Sequence, residues 1–248
     1  MGIKLGLLDD LRLKGVLKSG CAVLDIGSSN LYSADSESIR SFLAHYNIDA
    51  DMAFIGRLSA GSAYGSDGGS NESWAGELLE KAGMTYLAFD IANGFRTQIF
   101  DLNHEALPQK HRGAFDVVLN FGTTEHVINQ LNAFRIIHDA VKVGGVIVHQ
   151  LPCSGYIDHG YFCYTPRFFF DLAGHNEYEV VEFCYDGPRK GANIFGIVND
   201  YKSYFPALRR RVYQEGLTVQ DLVINIILRK TKNLPLRLPI EKSTSVVR

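Results

Sequence analysis

The feature that most constrains this chain is a series of short apolar runs, each ending in a polar or glycine-bearing turn. Cys21–Ile26 (CAVLDI) runs into Gly27-Ser28-Ser29-Asn30, Thr85–Asp90 (TYLAFD) ends on an acid, and Arg96–Asp101 (RTQIFD) does the same. Phe115–Asn120 (FDVVLN) is followed by a helical pattern over Asn129–Val141, and Gly144-Gly145 is expected to turn the chain into a strand at Val146–Gln150. Tyr178–Tyr185 and Leu222–Arg229 complete seven expected strands. Near-continuous apolar strands alternating with helices are buried on both faces, which is the signature of an open, largely parallel α/β sheet.

Two stretches interrupt this pattern. Residues 31–83 hold an expected helix (Ser36–Tyr46), a Gly/Ser-rich loop (Gly56–Ser70) and a second helix (Trp74–Ala82), far more chain than one crossover needs. Residues 187–216 carry Tyr201, Tyr204, Phe205 and Arg209-Arg210-Arg211 between the last two strands. Both are read as lid or substrate elements of a single domain spanning 1–232, and the polar, Pro-containing stretch 233–248 as a mobile tail. At 248 residues, 46% hydrophobic and 21% charged, the chain suits one well-buried core.

No apolar run is long enough to span a bilayer, and the charged start of the chain lacks the apolar core of a signal peptide, so a cytoplasmic protein is expected. The four cysteines form no CxxC pair, consistent with reduced thiols. Net charge is −2, split between an acidic 1–186 (13 basic against 23 acidic residues) and a basic remainder (12 against 4). That balance gives no reason to expect nucleic acid as a partner.

The strand ends carry the chemistry. After Val23-Leu24-Asp25-Ile26, Gly27 lets the backbone approach a ligand, and Ser28 and Ser29 leave room and offer donors. Asp90, followed by Ile91, can accept two hydrogen bonds from a ribose diol or can simply cap its turn. Asp101-Leu102-Asn103 offers a carboxylate and a backbone N–H suited to adenine. The turn is not GxGxxG, so a pyrophosphate cradle is poorly supported.

Taken in order, VLDIGSSN, YLAFDIAN, DLN-HEALP, FDVVLNFGTTEHV and HDAVKVGGVIVHQLP resemble the class I S-adenosylmethionine-dependent methyltransferases over residues 20–185. The resemblance implies a Rossmann-like sheet of seven strands in the order 3-2-1-4-5-7-6, with S-adenosylmethionine over strands 1, 2 and 4. It sets Asp25 and Gly27 against the methionine part, Asp90 on the ribose, Asp101 and Leu102 at the adenine, and Asn120, Phe121 and Gly122 at the reaction centre. The chain departs from the family in having Ser28, Ser29 and Asn30 where further glycines are usual, and in the long gap between Asp25 and Asp90.

Asn120-Phe121-Gly122-Thr123 lacks the two prolines of the NPPY-type motif of nucleic-acid amino methyltransferases, so a small-molecule or sugar-type acceptor and O-methylation are expected. A hydroxyl nucleophile benefits from a base, and His126, His149 and His159 are the candidates. The plain reading of His126 and His149 is as hydrogen-bonded structural residues. His159, in an aromatic loop with Tyr156, Tyr161, Phe162 and Tyr164, is the preferred base. A metal gathered by the three histidines with Glu125 or Asp158 is an alternative, but their spacing matches no ligand signature and no metal is expected. Two other readings stay open, a non-catalytic methyltransferase-like scaffold and an NAD(P)-dependent oxidoreductase.

Overall fold

A computed structural model describes residues 2–62, 73–156, 159–186 and 222–240. The main sheet contains β2 (Ala22–Ile26), β4 (Thr85–Asp90), β5 (Thr97–Ile99), β6 (Phe115–Phe121), β7 (Val141–Ser154), β8 (Glu179–Asp186) and β9 (Leu222–Arg229). Its order is β5-β4-β2-β6-β7-β9-β8, with β9 antiparallel to both neighbours and the other pairings parallel. Numbered within this sheet alone, the order reads 3-2-1-4-5-7-6. The order reverses direction at β2, so the carboxyl ends of β2, β4, β5 and β6 share one edge, where such sheets bind ligands.

Helices cover both faces. Leu24, Ile26, Val118 and Ile147 point to the side covered by α5 (Gln130–Ala140) and α6 (Pro166–Asn176). Val23, Val117, Leu119 and Val148 point to the side of α1 (Leu5–Leu13), α2 (Ser36–Ala44), α3 (Met52–Gly61) and α4 (Ala75–Lys81). This is the period-2 alternation of a strand buried on both sides. Truncating a fully buried Leu24 to Ala would cost about 2–5 kcal/mol. Helix starts follow local chemistry: Asp35 accepts from Ser38 N at 2.7 Å to open α2, and Asp51 accepts from Phe54 N at 2.7 Å to open α3.

Several expectations need correction. Gly144-Gly145 does not precede a strand but lies inside β7, where a bulge shifts its register against β6. A side chain at Gly145 would meet the Asp116 carbonyl oxygen at 2.9 Å, so glycine there permits close strand approach. The expected Gly/Ser loop begins as helix, because Gly56 and Ser59 fall within α3; residues 63–70 of that loop lie outside the described residues. The third strand is shorter than Arg96–Asp101 and leaves Asp101 in a turn. The tail is anchored over 233–240: Asn176 Nδ2 donates to Arg237 O at 2.9 Å and accepts back at Oδ1 from Arg237 N at 2.7 Å. The insert 187–216, residues 241–248 and Asp158 lie outside the described residues.

One element has no counterpart in the sequence reading. β1 (Gly2–Lys4) pairs in parallel with β3 (Asn30–Tyr32), so Asn30 opens a small second sheet instead of ending a glycine-type turn. This brings the first residues of the chain to the ligand edge of the main sheet. Among the described residues no helix is long and apolar enough to cross a membrane.

Candidate active site

Two turns at the carboxyl edge are tied together by Asp90. Ser28 N donates to Asp90 Oδ2 at 2.9 Å and Ala92 N donates to Oδ1 at 3.0 Å, so one carboxylate sets the turn after β2 against the turn after β4. Gly27, at φ +90°, makes the first turn and donates its N–H to Phe89 O at 2.7 Å. Beneath it Asp25 is fully buried and accepts from Tyr86 OH at 2.7 Å and Ser29 N at 3.0 Å. Burial pushes its carboxyl up to about 7.

A cavity of about 490 Å³ opens over these turns. Its lining includes Ser28, Asp90, Ile91, Asp101, Leu102 and His126. Ile91 is 75% exposed, an apolar face left for a ligand. Asp101 holds His104 Nδ1 at 2.7 Å and Asn103 N at 2.8 Å, which together keep its carboxyl below the usual range.

Next to this cavity stand Glu125, His126 and His159. Nε2 of His159 is 3.4 Å from Glu125 Oε1, Nε2 of His126 is 4.0 Å from it, and the two imidazole rings meet edge-on at 4.8 Å. The loop carrying His159 is fixed to the backbone of Glu125, whose carbonyl accepts from Tyr161 N at 2.7 Å and Phe162 N at 3.2 Å. Gly160, at φ +68°, packs so closely that a side chain there would come within 2.9 Å of Glu125 Cγ. Burial raises the Glu125 carboxyl to about 7, and burial, with a smaller push from His159, lowers His126.

Glu125 and His159 line a small cavity of about 180 Å³ with Phe121, Gly122, Gln150 and Tyr156. It shares Gly2, Gln150, Tyr156 and Val223 with a larger one of about 560 Å³, to which Lys4, Asp10, Tyr32 and Asn225 add polar groups.

Asn120 and His149 sit behind the site. Both are buried and line none of these cavities. Asn120 Nδ2 lies 3.0 Å from Thr124 Oγ1 and 2.9 Å from His149 Nδ1, while Phe134 and Phe169 pack against the imidazole. Burial lowers His149 to about 3. The network therefore supports the turn that carries Glu125 and His126.

The model of a family described as a methyltransferase domain matches residues 63–184. That match supports a class I S-adenosylmethionine-dependent methyltransferase. Solved structures similar to this methyltransferase include 1,6-didemethyltoxoflavin-N1-methyltransferase from Burkholderia thailandensis, with bound 1,6-didemethyltoxoflavin and S-adenosylhomocysteine. That chain is 13% identical, with 92% of this chain and 77% of that one covered at a TM-score of 0.46. A methyltransferase from Archaeoglobus fulgidus is 12% identical, covering 91% and 94% at 0.48. A methyltransferase-like protein from Bacillus halodurans is 12% identical, covering 91% and 99% at 0.49. No curated protein matches the sequence.

The methyltransferase edge has the chemistry its cofactor asks for. Among the described residues, the buried side-chain oxygens that accept no hydrogen bond are Asp25 Oδ1, Ser28 Oγ and both oxygens of Glu125. Unsatisfied acceptors gathered at one sheet edge suit a ligand bearing an ammonium group and hydroxyls. From the sequence Glu125 is a candidate metal ligand only, and Trp74 is simply the start of an expected helix. The acid beside His126 in Thr123-Thr124-Glu125-His126 was the available signal, but its burial follows from the fold.

Proposed function

We propose that this methyltransferase methylates an oxygen of a small-molecule or sugar-type acceptor, with the Glu125–His159 pair as the proton-accepting group. The observation that carries the reading is that neighbouring residues face two cavities: His126 lines the one of about 490 Å³, and Glu125 with His159 lines the small one, which shares Gly2, Gln150, Tyr156 and Val223 with the cleft of about 560 Å³. When bound, S-adenosylmethionine supplies an electrophilic methyl group for in-line displacement, so alignment provides much of the rate.

In this reading Asp90 accepts the ribose hydroxyls through lone pairs left free by Ser28 N and Ala92 N, and Ile91, Asp101 and Leu102 flank the adenine. Ser28 and the Gly27 turn face the methionine end, and Asp25 and Ser29, buried and lining none of these cavities, support that turn through the Ser29 N–H to Asp25 bond. Phe121 and Gly122 border the point where methyl and acceptor meet. Asn120 and His149 act as positioning residues, because a group with a pKa near 3 accepts protons poorly at neutral pH. His159, about half exposed and beside a buried carboxylate, removes the acceptor proton. Gln150, Tyr32, Lys4 and Asn225 supply the hydrogen-bonding groups that a hydroxylated acceptor needs.

We place the reaction in the cytoplasm, a reading supported by four cysteines that are all free. The test is transfer of label from methyl-labelled S-adenosylmethionine to a panel of phenols, sugars and nucleotide sugars, with amines as controls. Label in hydroxyl acceptors supports the proposal, and label confined to amines overturns the oxygen assignment.

A further inference from the structure

We propose that Glu125, His126 and His159 form a binding site for one divalent transition-metal ion, with a coordination position left open toward the acceptor cavity. One carboxylate oxygen and one nitrogen from each imidazole all lie within 4.8 Å of one another. Ligands bonded to a tetrahedral zinc ion at about 2.0–2.2 Å stand roughly 3.4 Å apart. The His159–Glu125 separation of 3.4 Å already has that value; the 4.0 Å from His126 to Glu125 is wider, so binding draws the 41% exposed His126 side chain inward.

A second observation points to a ligand. The Glu125 side chain is 1% exposed, yet neither oxygen accepts a hydrogen bond from any described residue. Burying a carboxylate this way is costly unless it is paired or coordinates a metal. Its only ion-pair contacts among the described residues are the two histidines, and both are imidazoles. Two imidazoles and a carboxylate are the donor set that suits zinc, iron(II) or nickel over magnesium or calcium, which prefer oxygen alone.

The site is held before any ion arrives. The bonds from Tyr161 N and Phe162 N to the Glu125 carbonyl lock the His159 loop onto the residue that carries the carboxylate. The Asn120–Thr124 bond steadies the turn bearing His126. Glu125 and His159 line the small cavity, so a water or an acceptor oxygen can complete the coordination from there.

This inference rests on the reading of that cavity as the acceptor site; with an ion bound, His159 is a ligand in place of a base, and the ion takes over activation of the acceptor oxygen. A bound ion lowers the pKa of a coordinated hydroxyl, so its proton passes to solvent and the oxygen is ready to form the new bond to carbon. As that C–O bond forms, the C–S bond breaks and its electron pair stays on sulfur.

The experiment uses the untagged full chain, stripped with a chelator and titrated calorimetrically with zinc chloride. Cobalt(II) absorption reports the coordination geometry. One ion per chain is expected, with dissociation in the micromolar range or tighter. Affinity should fall at least about 30-fold in both His159→Gln and His126→Asn, the loss expected for a ligand or its support. Both histidines are more than 40% exposed, so these variants should fold, and thermal melts check that. His45→Ala, exposed and outside the cluster, should bind as wild type does. No bound ion, or wild-type affinity in both variants, overturns the site. S-adenosylhomocysteine titrated into the stripped protein separates the two ideas. Cofactor binding without zinc binding overturns only the metal, and zinc binding without cofactor binding overturns only the methyl-transfer reading.

Discussion

The imidazole of His159 stands 3.4 Å from the carboxylate of Glu125, held there because the loop after His159 is hydrogen-bonded to the Glu125 carbonyl. Replacing His159 with Gln should therefore act on turnover and not on cofactor binding. With any accepted hydroxyl substrate, kcat should fall about 100-fold or more while S-adenosylhomocysteine affinity is unchanged. An unchanged kcat would remove His159 from the reaction.

Gly160 is the hinge of that contact. At φ +68° an alanine is strained by about 1–2 kcal/mol. Its Cβ would also press on Glu125 Cγ and on the Glu125 carbonyl oxygen at 3.1 Å. Gly160→Ala should lower the melting temperature and cut kcat by displacing His159, both readable by calorimetry and assay. A variant with wild-type rate would show that the loop position does not matter.

Asp25 gives a pH dependence of known sign. Its folded pKa, near 7, lies above the ordinary carboxylate value of 3.8 because of burial. The folded chain thus holds this proton more tightly than the unfolded one, so the stability it contributes is full below about pH 4 and is lost as pH rises toward 7. The slope is about 1.4 kcal/mol per pH unit. Asp25→Asn removes this slope, so relative to wild type it should be more stable at pH 8 than at pH 5 in denaturant unfolding. Parallel curves for the two proteins would contradict the buried, proton-holding carboxyl.

His149 has the opposite sign. Its folded pKa, near 3, is below the free imidazole value of about 6.5, so its contribution is present above pH 6.5 and is lost as pH falls toward 3. Imidazole nitrogen NMR should show His149 neutral at pH 5, while a titration midpoint near 6.5 would contradict its burial against Phe134 and Phe169.

These residues also show what the sequence could and could not reveal. Strands β4 and β9 have the bounds that their apolar runs suggest, and Asp90 and Asp101 reach one cavity because each follows such a run. The fate of His149 was hidden because β7 is covered on both faces. Ile147 and Leu151, on either side of it at strand spacing, are fully or nearly fully buried, so a histidine between them is buried as well. β1 and β3 are three residues each, too short to show a period, and only their pairing makes them strands. The burial of Glu125 depends on a loop that returns from His159, and no local pattern reports it.

The most direct measurement is calorimetric titration of the full chain with S-adenosylmethionine and S-adenosylhomocysteine, with NADH as control and Asp90→Ala alongside wild type. Micromolar binding of the first two is expected, with silence for NADH and a loss of about 10- to 100-fold in Asp90→Ala, the range for one charge-assisted hydrogen-bonding group. Binding of NADH in their place, or equal affinity in the Asp90 variant, would contradict a cofactor site built over the ends of β2 and β4.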